Sequence, residues 1–274
     1  MSSRIKLGVI TSLSSEIGHE LKKIADIGLE SCQVNCWDET LYNDEMARLL
    51  DKARKDYSIE VTAMWTGYSG PSTWNFIDGP ATIGIVPPEY REMRVGELIA
   101  GAEFAAKLGI ASTITHAGFI PENPKDPQYA PTVEALGKVA ARCKELGLYF
   151  CFETGQETPV TLLRVITDIG SGNLGVNLDP ANLLMYGKAN PVDALDILGP
   201  YVRGVHGKDG DYPTTPNDLG HEKPMGEGKV NYPVFVPKLK SFGFAGSITI
   251  EREISGDQQI VDIKRAMDIL RPLL

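Results

Sequence analysis

Four side chains at the ends of strand-like runs are the residues most able to do chemistry in this chain. Glu153 closes the apolar run Leu148-Tyr149-Phe150-Cys151-Phe152, and Gly155 follows it. Buried strands read as short apolar runs bounded by turn signals, so this carboxylate stands at the mouth of one. Three later runs end alike: Gly175–Leu178 leads to Asp179, Val202–Val205 to His206, and Ser247–Ile250 to Glu251. A carboxylate withdrawn from water is costly unless paired, and three together raise one another's pKa values. A divalent cation removes that conflict. Two Glu, one Asp and one His make an oxygen-dominated set with one imidazole, suited to a single divalent metal ion. Mn²⁺ is the first expectation, with Co²⁺, Mg²⁺ and Zn²⁺ also compatible; without thiolates the set is not a structural zinc site. Each residue alone reads as a rim or hydrogen-bonded core residue. Four on consecutive strands favour the metal.

The elements that must position them recur with a steady rhythm. Strand-like runs begin at Lys6–Ser12, Ser31–Trp37, Ile59–Thr66, Ala111–Ala117, Leu148–Glu153, Leu174–Leu178, Val202–His206 and Gly246–Glu251. Amphipathic segments separate them, several closed by glycine (Gly28, Gly109, Gly147), as helix C-termini are. Helices are expected at Glu89–Leu108, Pro131–Leu146, Pro159–Ile169, Pro191–Leu198, Tyr232–Phe242 and Gln258–Leu270. Eight strand–helix pairs at about 34 residues each predict an α/β fold, a (β/α)8 TIM barrel forming one domain over 1–274. A doubly wound sheet is the rival, but no G-x-G-x-x-G follows the first strand. Two Gly/Pro-rich stretches, 67–88 and 207–230, are longer than ordinary connections and predict loops over the site.

Composition narrows the partners. The chain is 42% hydrophobic and 23% charged, with a net charge of −9, so no basic field draws nucleic acid or an anionic membrane. The opening Met1–Leu7 has no apolar leader core, which predicts a cytoplasmic protein. Cys32, Cys36, Cys143 and Cys151 form no C-x-x-C pair and read as reduced, buried thiols.

At the level of motifs, Phe152-Glu153-Thr154-Gly155-Gln156-Glu157, Asn177-Leu178-Asp179-Pro180-Ala181-Asn182, Val205-His206-Gly207-Lys208-Asp209, Gly226-Glu227-Gly228 and Ile250-Glu251-Arg252 resemble the xylose-isomerase-like sugar phosphate isomerase/epimerase superfamily. The resemblance implies Glu153, Asp179, His206 and Glu251 as metal ligands. It also implies Glu153 and Glu251 as the acid/base pair on opposite faces of the substrate carbon, working through an enediolate. The implied activity is a metal-dependent sugar, sugar phosphate or keto-sugar isomerase or epimerase. A lyase or dehydratase on a keto-sugar, keto-inositol or keto-glycoside is the alternative; a non-catalytic sugar-binding barrel comes third. The pattern departs at Asn182, where the epimerases carry His, and at Lys208-Asp209, where they supply Arg. The endonuclease branch needs extra histidines that a chain with only His19, His116, His206 and His221 lacks.

A second group of residues shares the rim. His116, Glu157, Asn182, Lys208 and Trp65 are candidate substrate contacts. Structural roles compete for each: a hydrogen bond for His116, a helix cap for Glu157, an ion pair for Lys208 and core packing for Trp65. The glycines of Gly226-Glu227-Gly228 permit a close approach to the mouth. Arg252 follows Glu251 and so turns away by strand alternation. The expected partner is a small sugar or keto-sugar. Barrels of this kind often pair through helices or long loops, so a homo-oligomer is compatible with the chain.

Overall fold

Local signals set the elements of the barrel. The computed structural model describes residues 5–274; Met1–Arg4, part of the stretch examined above for a leader, lie outside them. Eight parallel strands close into a ring: β1 (Lys6–Ser12), β2 (Ser31–Cys36), β3 (Glu60–Thr66), β4 (Ser112–Thr115), β5 (Tyr149–Glu153), β6 (Leu174–Leu178), β7 (Val202–Gly207) and, after the short antiparallel pair β8 (Asp209–Gly210) and β9 (Glu222–Lys223), the closing strand β10 (Ser247–Ile250). β1 pairs with both β2 and β10, which completes the circle. The helices are α1 (Ile17–Asp26), α2 (Asp44–Asp56), α3 (Gly79–Thr82), α4 (Arg91–Lys107), α5 (Tyr129–Glu145), α6 (Pro159–Ile169), α7 (Pro180–Met185), α8 (Pro191–Leu198), α9 (Tyr232–Ser241) and α10 (Asp257–Leu270). This is the expected α/β barrel.

Sequence chemistry explains typical ends. Asn43 caps α2 by accepting from the Met46 N–H, and Met46, Ala47, Leu50 and Ala53 then bury one stripe. Thr158 caps α6, Pro159 occupies its first turn, and Gly170 ends it at φ +58°. Strand alternation divides the core into two layers. Phe150 and Phe152 point outward into the large apolar layer under the helices, while Ala63, Trp65, Ile114 and Cys151 form a small cluster of their own. Polar side chains share the barrel interior and satisfy each other: Ser31 Oγ lies 3.1 Å from Ser247 Oγ, and Gln33 Nε2 donates to Asn177 Oδ1 at 3.0 Å.

The differences from expectation fall after the strands. One helix was expected between the sixth and seventh strands; there are two, because Asp179 caps α7 directly by accepting from the Asn182 N–H. The Gly226-Glu227-Gly228 turn approaches not the mouth but the Asp209 carboxylate, which accepts from the Gly226, Gly228 and Val230 N–H groups. A Cβ on Gly228 would sit 2.2 Å from Asp209 Oδ1, so glycine is required there. Asp209 thus organises the 207–230 loop. All four cysteines are free and buried, as expected. Among the described residues, no helix is long and apolar enough to cross a membrane.

Candidate active site

Strands β5, β6, β7 and β10 are neighbours in the ring and deliver their last inward side chains to one point. His206 Nδ1 lies 3.1 Å from Glu153 Oε1, 3.1 Å from Glu251 Oε2 and 3.6 Å from Asp179 Oδ2. One ligand atom from each of the four residues lies within 4.8 Å of every other. Atoms about 2.1 Å from a common cation stand roughly 3 Å apart when adjacent and roughly 4.2 Å apart when opposite. The cluster therefore has the dimensions of a cation's coordination shell. Thr154 keeps the strand ends together: its Oγ1 donates to the Asp179 carbonyl (2.9 Å) and accepts from the Asp179 N–H (2.8 Å).

The donor chemistry fits a divalent ion. Asp179 Oδ2 and Glu251 Oε2 are buried and have no hydrogen-bond partner. Buried polar atoms are normally satisfied, so two orphans aimed at one point require an explanation. Burial pushes the Asp179 carboxyl up to about 7 against the pull of Lys208. Burial also raises the Glu153 and Glu251 carboxyls, but it is outweighed, by His116 and His206 at Glu153 and by Lys208 and His206 at Glu251. Burial would discharge Lys208, yet Glu251, Asp179 and Glu253 around it keep it cationic. With a cation in place of the His206 proton and Asp179 ionised, three carboxylates and one ammonium would leave two negative charges in this buried cluster. A divalent cation matches them.

Gln33, which the sequence reading passed over, selects the imidazole tautomer. Its amide Nε2 donates to Asn177, so its Oε1 faces His206 and accepts from Nε2–H at 2.8 Å. Burial would discharge the His206 imidazole, yet Glu153 and Glu251 hold it protonated well above its usual range, and Nδ1 would present its lone pair once a cation displaced that proton. The signal was present as an amide in the middle of the buried run Ser31–Cys36.

Of the second group, Trp65, His116, Asn182 and Lys208 all line the cavity beside the cluster. Glu153 is held from two sides: Trp65 Nε1 donates to Oε2, and Asn182 Nδ2 donates to Oε1 at 3.2 Å. His116 Nε2 is 3.5 Å from Glu153 Oε1, and its Nδ1 is buried without a partner. Lys208 Nζ is 3.3 Å from Glu251 Oε2 and 3.1 Å from Glu253 Oε1. Arg252 pairs with Glu222 and Asp262 rather than with the four converging side chains, while still bordering the cavity.

Glu157 is the exception. It is buried but not among the cavity-lining residues; its neighbour Gln156 takes that place, with both amide atoms unpartnered. Glu157 lies beside the backbone N–H groups of Gln156 and itself, and burial pushes its carboxyl up to about 8. A folded pKa above the unfolded one gives stability that is complete below the unfolded value and is lost as pH rises through the folded one. Wild-type stability should thus fall between about pH 4.5 and 8 by on the order of 4 kcal/mol from this group. Glu157→Gln, neutral throughout, is expected to lose that slope. Urea unfolding at pH 5 and pH 9 checks it: an unchanged difference between variant and wild type refutes the assignment.

A closed parallel barrel with a candidate metal centre at the C-terminal ends of its strands is a (β/α)8 TIM barrel. The chain belongs to the xylose isomerase-like TIM barrel family, whose sequence profile matches residues 21–273. A xylose isomerase domain protein from Planctomyces limnophilus is 32% identical, with a TM-score of 0.92 over 98% of this chain and 97% of that one. A D-tagatose 3-epimerase-like protein shares the fold at 21% identity, with a TM-score of 0.76 over 98% of this chain and 97% of that one. An uncharacterized protein of Methanocaldococcus jannaschii is 24% identical over 98% of this chain and 89% of its own length.

Proposed function

We propose that this barrel is a divalent-metal-dependent isomerase or epimerase of a ketose or keto-sugar, acting by proton transfer at the carbon next to the carbonyl. The observation that carries the reading is the convergence of Glu153, Asp179, His206 and Glu251, with Asp179 Oδ2 and Glu251 Oε2 buried and accepting no hydrogen bond. A cation held by these four would polarise the substrate carbonyl and offset the negative charge that grows on its oxygen. The side chains divide the remaining work. Glu251 faces the cavity and accepts or returns a proton at Oε2, with the Lys208 ammonium favouring its charged form. Glu153 serves the opposite face, its orientation held by Trp65 and Asn182. His116 and Asn182 offer polar atoms to substrate hydroxyls. Family membership and the epimerase-like neighbour support the same class.

The test is metal analysis of purified protein together with a ketose panel in D₂O, before and after chelation. The expected result is about one equivalent of divalent metal and metal-dependent deuterium incorporation into sugar whose connectivity otherwise matches an isomer. Loss of water from the substrate would move the reading to a lyase. Protein without metal, and indifferent to chelator, would overturn it.

A further inference from the structure

The three tryptophans of the chain, distant in sequence, assemble at one side of the cavity. They step outward. Trp65 is 4% exposed and touches Glu153, while Trp37, its ring centroid 4.8 Å from that of Trp65, is 43% exposed. Trp74, 6.3 Å from Trp37, is 41% exposed and closes the corner against His116 at 5.1 Å. Trp37 lies directly on Gly67, where a Cβ would come within 2.6 Å of its ring. Two half-exposed tryptophans set edge to face at the rim of a polar cavity form an apolar corner open to solvent.

We propose that Trp37 and Trp74 form an outer subsite for a second sugar ring, so that the substrate is a ketose or keto-sugar carrying a glycosidic ring. The proposal rests on the keto-sugar reading of the inner site. Three observations carry it. The cavity measures about 560 Å³. If each carbon–hydroxyl unit takes up about as much room as a liquid water, ~30 Å³, a hexose fills on the order of 180 Å³, which leaves space for another ring. The spare space is continuous with the tryptophan pair and with Asn35 and Ser12, which supply polar atoms beside the apolar rings. That mixture suits a pyranose, with its apolar faces and polar edges. Finally, both cations on the cavity wall are committed, Lys208 to Glu251 and Glu253 and Arg252 to Glu222 and Asp262. A phosphate would find no free positive charge, whereas a neutral ring needs none.

The experiment is calorimetry on the metal-loaded protein with D-fructose and with four glucosyl-fructoses: turanose, maltulose, leucrose and isomaltulose. These attach the same second ring at successive hydroxyls. At least one is expected to bind about tenfold more tightly than D-fructose, and Trp37→Ala and Trp74→Ala should each bring that ratio down to about one. Metal content and the circular dichroism of each variant confirm folding. No gain for any glucosyl-fructose, or a gain that survives both substitutions, overturns the subsite. So does a change in sedimentation of Trp37→Ala with the binding ratio intact, since the tryptophan pair would then be a contact between copies. Binding needs no turnover, so the two readings fail separately. Deuterium exchange absent on every probe sinks the chemistry alone, and exchange on D-fructose without a binding gain sinks the outer subsite alone.

Discussion

Glu153→Gln is expected to lower deuterium exchange on any ketose the enzyme accepts by roughly 10³-fold, within the span that positioned acid–base groups supply. The reason is a conflict of donors. Oε2 accepts from Trp65 Nε1, while Oε1 faces Asn182 Nδ2 and His206 Nδ1. A glutamine has one oxygen to share between these positions. If it serves Trp65, its NH₂ group points at another amide NH₂ and at the metal position; if it serves the metal, two N–H groups collide at Trp65. Either way the site loses a charge, a ligand and a proton acceptor. Metal binding stabilises the folded state by mass action, so the metal-induced rise in Tm should shrink with it. Thermal unfolding with and without Mn²⁺, beside the exchange assay, reads both effects. Full metal response with exchange within threefold of wild type would refute both roles of Glu153.

Arg94→Met should cause the largest loss of stability, on the order of 3–5 kcal/mol. Arg94 is fully buried, and its guanidinium donates to the Ser69, Thr82, Gly84 and Pro71 carbonyls at 3.1, 2.8, 2.7 and 2.9 Å. It also lies between the Tyr68 and Tyr90 rings, 4.3 and 4.7 Å from their centroids. One side chain on α4 thus holds the 67–88 loop, and with it Trp74. Methionine fills the volume but leaves those acceptors unpaired, about 1 kcal/mol or more each. The expected result is a Tm lower by roughly 6–10 °C and protease cleavage confined to 67–88. Arg94→Lys should recover only part, because a point charge cannot span a fork of carbonyls. An unchanged Tm and an uncut loop would show that the loop is held otherwise.

The sequence by itself determined the barrel and the positions of the four converging side chains. The physical reason is that both are local: alternation of period two, helices closed by glycine, and an acid or histidine just past each apolar run. Eight repeats leave few ways to close a sheet, and closure brings consecutive strand ends together. Tertiary structure decided what depends on partners far apart in the chain. Gln33 reads as a misplaced polar residue until His206 and Asn177, on strands across the barrel interior, meet it. Asp209 looks like a partner for Lys208 until the 207–230 loop folds its amides onto the carboxylate. Gln156 rather than its neighbour Glu157 reaches the cavity, which the spacing of the two residues alone does not decide. Trp37, Trp65 and Trp74 come from β3 and the loops after β2 and β3, so only barrel closure and the Arg94 clasp bring them beside Glu153.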